Sequence, residues 1–199
     1  MSCTGTTSER RDMSEDRRAM LRSTLVHDGR VVRLSVDRVR FPDGTVGELE
    51  LIRHRGAAAV LPVLGAAGDP DPEVILLRQY RYAAGGVIYE VPAGIIEPEE
   101  SWEECARREL EEEAGVCAGR LVRMTTIHTT PGFTNEEIHL YAAFDLVPGE
   151  TSTDSDEFLE VVPMRLSAAL ELVRCGEISD AKTLVALLYA ARFLPGWGD

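Results

Sequence analysis

The chain reads as an α/β protein, a mixed β-sheet between layers of helix, preceded by a small antiparallel β-sheet. Three observations predict this. Short apolar runs of strand length, such as Ala57 to Leu64 and Val74 to Tyr80, alternate with loop signals. One helix is announced by its own capping residues in mid-chain, and two more helical patterns close the sequence. Ahead of all of these, residues 23–52 alternate polar and apolar positions around a strong turn signal.

Taken in order, residues 1–22 are polar and charge-mixed, without apolar periodicity, and read as a mobile N-terminal tail. The segment 23–55 reads as the antiparallel sheet. Val32, Leu34 and Val36 alternate with polar residues, as do Val46 and the Leu49/Leu51 pair, and Phe41-Pro42-Asp43-Gly44-Thr45 makes the turn between them. The main domain, 56–199, opens with the strands Ala57 to Leu64 and Val74 to Tyr80, separated by the loop Gly65 to Pro72. Val87 to Val91 leads through Pro92-Ala93-Gly94 towards the capped helix. Strands are expected at Leu121 to Ile127, Ile138 to Leu146 and Glu157 to Pro163, and helices at Ser167 to Arg174 and Asp180 to Phe193. Leu184, Leu187, Leu188 and Ala191 mark the expected buried face of the last helix. A mixed sheet flanked by helices is an α/β/α sandwich.

Composition bounds the function. At 199 residues the chain is long enough to bury a substantial core. The formal net charge of −13 argues against nucleic acid as a partner. Cys3, Cys105, Cys117 and Cys175 show no C-x-x-C spacing and read as reduced thiols. No apolar run is long enough to span a membrane and no hydrophobic h-region starts the chain, so a cytoplasmic protein is expected. His27, His54, His128 and His139 have no metal-ligand spacing, and no serine sits in a G-x-S-x-G elbow.

The chemistry concentrates between Gly94 and Val116, where the residues follow the pattern G-x5-E-x7-R-E-U-x-E-E-x-G-U, with U aliphatic. A chance match in a chain of this length has odds on the order of 10⁻⁷ at average residue usage. Ser101 with Glu104 forms a capping box, so a helix begins at Trp102, and Gly115 supplies its stop. Glu109, Glu112 and Glu113 then stand at i, i+3 and i+4 on one face. Such a concentration of like charge calls for a cation, and hard oxygen donors suit Mg²⁺ or Mn²⁺. Gly94 lets the preceding loop turn back and bring a backbone carbonyl, that of Ala93, towards the metal. Arg108 braces the cluster through carboxylate pairing. Trp102, Ala106 and Leu110 form the opposite, core-facing side.

This pattern resembles the Nudix box, and the chain resembles a Nudix hydrolase over roughly residues 25–195. The resemblance implies the α/β/α fold and divalent-metal cleavage of a nucleoside diphosphate linked to another group. Segments outside the box resemble the ADP-ribose pyrophosphatase branch. Arg78-Gln79-Tyr80-Arg81-Tyr82 looks like its Q-[YF]-R element, which implies that Arg81 contacts the diphosphate. Pro131, fifteen residues beyond the box, resembles the branch marker, and Pro131-Gly132 makes a tight loop whose backbone can approach a sugar or phosphate. The acidic segment Asp154-Ser155-Asp156-Glu157 resembles the loop that carries a base or extra metal ligand. Glu157 is the favoured residue, with Asp154 and Asp156 as alternatives. Glu50 matches the adenine-binding glutamate of a sheet exchanged between two subunits. Leu49 stands where relatives often carry a stacking residue, and Arg53 is placed to reach a phosphate or a rim salt bridge.

The resemblance therefore implies Mg²⁺-dependent hydrolysis of ADP-ribose to AMP and ribose 5-phosphate by a homodimer. Two or three ions per site would be held by Ala93, Glu109, Glu112, Glu113 and Glu157. The alternatives are hydrolysis of another nucleoside diphosphate sugar, such as a GDP-sugar, and a Nudix-fold sensor that binds a nucleotide without cleaving it.

Overall fold

The computed structural model describes residues 19–65, 69–151 and 159–193, and the chain divides into two units. The first comprises 1–54 with 132–135, and the second 55–131 with 136–199.

Alternation builds the first unit. Strands β1 (Met20–Asp28), β2 (Arg33–Arg40) and β3 (Val46–Arg53) form an antiparallel sheet in the order β1-β2-β3. Strand β1 starts three residues before Ser23, so the tail expected over 1–22 is overturned for its last three residues. Those residues are strand because β2 continues opposite them, with Met20 facing Val39 and Arg22 facing Arg38. The rest of that segment, 1–18, lies outside the described residues. In β2, Ser35 and Asp37 are buried, and Asp37 accepts from Ser23 Oγ and from an Arg53 nitrogen. Segment 132–135 joins this unit through Ile52 N–H to Phe133 O (2.8 Å) and through both ends of the Asn135 amide to the His54 backbone.

In the second unit, β4 (Ala57–Leu64) shows why an unbroken apolar run reads as a central strand. Ala57, Ala59, Leu61 and Val63 pack into one core cluster, while Ala58 and Val60 pack into another on the opposite face. The sheet has seven strands, with β5 (Glu73–Arg81), β8 (Val116–His128), β9 (Glu137–Pro148) and β10 (Leu159–Arg165) in the order β10-β5-β4-β9-β8. Strand β6 (Gly86–Glu90) pairs with β5, and β7 (Ala93–Ile95) pairs with β4. The β4–β9 pair is parallel and the others are antiparallel, which makes the sheet mixed.

Helix α1 (Trp102–Ala114) covers one face with Cys105, Ala106, Leu110 and Ala114. Helices α2 (Leu166–Cys175) and α3 (Ala181–Phe193) cover the other with Leu166, Ala169, Ala186, Leu187 and Ala190. These layers are the α/β/α sandwich expected from the sequence. The buried face of α3 holds the expected Leu187, with Leu184 partly packed against the core, but Leu188 and Ala191 are exposed and Thr183, Ala186 and Ala190 are inside instead. Small residues there let the helix lie close to the sheet, and Leu188 faces outward. Strand β8 begins five residues earlier than the sequence suggests. Its Gly119 lies where a Cβ would come 2.9 Å from the Asp145 carbonyl, so glycine here is a strand residue chosen for close packing.

Candidate functional site

Helix α1 is fixed at both ends by its own sequence. Ser101 Oγ accepts from Glu104 N–H at 3.2 Å, and the Glu104 carboxylate accepts from Ser101 N–H at 2.8 Å. Gly115 closes the helix with φ 67°, its N–H donating to Glu111 O. Trp102 stacks on His139 of β9, with ring centroids 4.1 Å apart and planes 7° apart. Burial lowers the pKa of His139, so the neutral imidazole is the form that fits this stack. Sequence spacing gave His139 no role, because its partner is in a distant element.

With the ends fixed, the carboxylates fall into place. Glu109 and Glu113 are buried, whereas the Glu112 side chain is 37% exposed. The acidic face is therefore turned inward rather than lying opposite the core. Arg108 gathers it. Its guanidinium meets Glu100 through two bonds (2.9 and 3.1 Å), Glu112 at 3.1 Å and Glu109 through a short contact, and it also donates to Ile95 O at 3.3 Å. Donation from Arg108 holds the Glu100 carboxyl below its ordinary value of 4.5, and Glu100 in turn raises the pKa of the guanidinium. Glu113 accepts from the Ala93 N–H at 2.9 Å, which ties the helix to β7.

Gly94 owes its place to closeness rather than to a turn. It lies within β7, and its φ is not in the left-handed range. A Cβ built there would sit 1.8 Å from Glu109 Oε1, so only glycine lets the buried carboxylate lie against the strand. Cys105, whose Sγ lies 3.5 Å from Gly94 O, has its pKa pushed up to about 12, chiefly by burial. It is an inert thiol beside the site.

The donor chemistry fits a hard divalent cation: Glu109 and Glu112 of the helix and Glu100 ahead of it share a single arginine, and among the described residues no imidazole or thiolate joins them. Among the described residues, no three acidic, histidine or cysteine groups converge into a metal-holding cluster, since Arg108 and the Ala93 N–H hold the carboxylates.

A second ionic group lies on the same unit. Arg81, at the end of β5, donates from Nε to Glu90 Oε2 at 2.7 Å. Glu90 is almost fully buried, and its other oxygen takes Lys182 Nζ of α3, which also reaches Asp180 at 3.1 Å. Asp180 caps α3 by accepting from Thr183 N–H and Oγ1–H (3.0 and 2.6 Å), and Thr183 Oγ1 accepts from Val91 N–H at 2.9 Å. Glu90 was missed in the sequence, although a lone carboxylate in the run Val87-Ile88-Tyr89-Glu90-Val91 demands a buried partner.

The remaining expected residues are scattered over both units. Pro131 and Gly132 are exposed in a turn. Glu50 is exposed on β3, and Arg53, itself 40% exposed, pairs with buried Asp37. Glu157, with Asp154 and Asp156, lies outside the described residues.

A capped helix carrying a glutamate triad, braced by one arginine and packed on a glycine strand, defines a class. Residues 53–186 match the model of the NUDIX domain, and the chain belongs to the Nudix family. It is 38% identical to the ADP-ribose pyrophosphatase of Bacillus subtilis (strain 168) over 82% of this chain and 87% of that one. It is 33% identical to the GDP-mannose pyrophosphatase of Salmonella typhimurium, over 70% and 79% of the two chains. The fold superposes on a crystal structure of an ADP compounds hydrolase with a TM-score of 0.76 and 26% identity, covering 90% of this chain and 95% of that chain.

Proposed function

We propose that this protein is a Mg²⁺-dependent pyrophosphatase that hydrolyses ADP-ribose to AMP and ribose 5-phosphate. The observation that carries the reading is the acid excess around Arg108, with Glu109 packed onto Gly94. Similarity to the B. subtilis ADP-ribose pyrophosphatase supports the choice of substrate. Glu109, Glu112, Glu113 and the Ala93 carbonyl are assigned to hold two or three Mg²⁺ ions, with Mn²⁺ as substitute. When bound, these ions neutralise phosphoryl charge and lower the pKa of a bound water.

The chain's own residues do the rest. Arg108 keeps the helix carboxylates aligned, and Arg81 offers its guanidinium to the diphosphate. Glu157 is the residue we assign to orient the attacking water. Pro131 and Gly132 are assigned to the sugar-phosphate loop, Glu50 to adenine and Arg53 to the phosphates. The working form is proposed to be a homodimer, supported by apolar side chains left exposed on β1, including Leu21, Leu25 and Val26. Gel filtration at assay concentration tests it, and a monomer would count against a shared site. The substrate is a small nucleotide sugar and the compartment the cytoplasm. Among the described residues no helix is long and apolar enough to cross a membrane.

Similarity to a GDP-mannose pyrophosphatase keeps a second reading, a GDP-sugar substrate with the same metals. Anion-exchange analysis of products from ADP-ribose, with Mg²⁺ and with EDTA, is the deciding experiment. Metal-dependent AMP supports the proposal. Turnover of a GDP-sugar alone replaces the substrate, and tight binding without turnover of any nucleotide sugar replaces the activity.

A further inference from the structure

Arg81 and Glu90 start from opposite ends of one ladder: across the β5–β6 pair, Arg81 faces Gly86 and Glu90 faces Leu77. The bond between them therefore holds the arginine stretched along the sheet. Only Nε is engaged. Among the described residues the Arg81 Nη groups make no hydrogen bond, and the side chain is 43% exposed. An arginine anchored through Nε keeps its terminal N–H groups for a planar anion, with its freedom already restricted before the ligand arrives.

The anchor is itself anchored. Lys182 Nζ binds the second Glu90 oxygen, and Asp180 holds Lys182 at 3.1 Å while capping α3. Thr183, in the same turn, receives the Val91 N–H. Glu90 is thus fixed along its backbone and at both carboxylate oxygens. Each Glu90 oxygen has its own cation, and Asp180 balances the charge of Lys182.

We propose that Glu90 is the positioning residue for Arg81, with Lys182 as the second cation that fixes its carboxylate. The proposal rests on the reading that Arg81 contacts the substrate diphosphate. Without Glu90 the guanidinium is free to leave the sheet, and a misplacement of about 1 Å is enough to weaken a phosphate contact severely. Lys182 works at one remove, and its loss leaves the Arg81–Glu90 bond with a less restricted partner.

A kinetic double-mutant cycle tests this: Arg81→Ala, Glu90→Gln and the pair, with melting curves for each. The cycle is read on whichever nucleoside diphosphate sugar the wild type turns over, so an error in the substrate leaves it intact. Arg81→Ala is expected to lower kcat/KM by about 50-fold, and Glu90→Gln by about 10-fold with the same partition between kcat and KM. In the Arg81→Ala background Glu90→Gln should cost less than about twofold. Equal costs in both backgrounds, or a near wild-type Glu90→Gln enzyme, overturn the proposal. An Arg81→Ala enzyme like wild type refutes the role of Arg81, and the proposal with it. If Glu90→Gln abolishes cooperative melting, Lys182→Gln takes its place. That variant is expected to lose about threefold in kcat/KM, again only when Arg81 is present, and an equal loss without Arg81 overturns the proposal.

Discussion

Two ionic groups on the second unit differ in their balance, and the difference indicates what each is for. Around Arg108, one cation faces Glu100, Glu109 and Glu112, with Glu113 close by in sequence and held by a backbone N–H. Around Glu90, two carboxylates, Glu90 and Asp180, meet two cations, Arg81 and Lys182. The first group carries excess negative charge within a partly buried site, a cost that a bound cation would remove. The second is balanced and leaves only arginine N–H groups facing outward. An unbalanced cluster is organised for a ligand of opposite charge, whereas a balanced one organises its own members.

The largest effect that tests this contrast is on turnover. Glu109→Gln should lower kcat by on the order of 10³-fold, while its melting temperature stays within a degree or two of wild type or rises, because a repelling charge is lost. A large fall in stability would show that the cluster is structural. Removing the one cation should do the opposite. Arg108→Ala is expected to destabilise the fold by about 3 kcal/mol in urea denaturation, since buried carboxylates lose their partner. Glu112→Gln, at the more exposed corner, should cost on the order of 10²-fold in turnover with unchanged stability. Near wild-type activity would remove Glu112 from the mechanism.

In the balanced group, Asp180→Asn removes a charge pair and weakens a cap, and should cost about 1 kcal/mol. If it stabilises the protein, the balance drawn here is wrong. The smallest effect is on pH. Arg108 depresses the folded-state pKa of Glu100 below 4.5, so the stabilisation is fully present above that value and is lost as pH falls through the folded pKa. The melting temperature of Glu100→Gln should therefore show a shallower acid limb than wild type below about pH 4.5.

What could be read from the sequence follows from the range of each interaction. The helix Trp102–Ala114 was legible to the residue because Ser101, Glu104 and Gly115 are local signals. The strand Ala57–Leu64 was equally plain, being buried on both faces. Strand β7 reads as loop in the sequence, since three residues centred on Gly94 carry no pattern and are strand only because β4 pairs with them. The glutamate triad and Arg108 were visible as spacing. The reason for Gly94 was not, because it depends on a carboxylate fifteen positions later packing onto the strand. Glu90 with Lys182, and Trp102 with His139, join elements that only the fold brings together.

The parallel pairing of Ala57–Pro62 with Ile138–Ala143 has a kinetic consequence. Both core faces are built on β4, yet its parallel neighbour is made only after β5, β6, β7, α1 and β8 have emerged. During synthesis one edge of the wholly apolar β4 therefore waits for a partner far along the chain. Contacts of such long sequence separation slow folding, because the intervening loop must be closed before the pairing stabilises anything. Expression at lower temperature, or with a chaperone that shields apolar strands, should raise the folded yield more than changes to the surface of the finished protein.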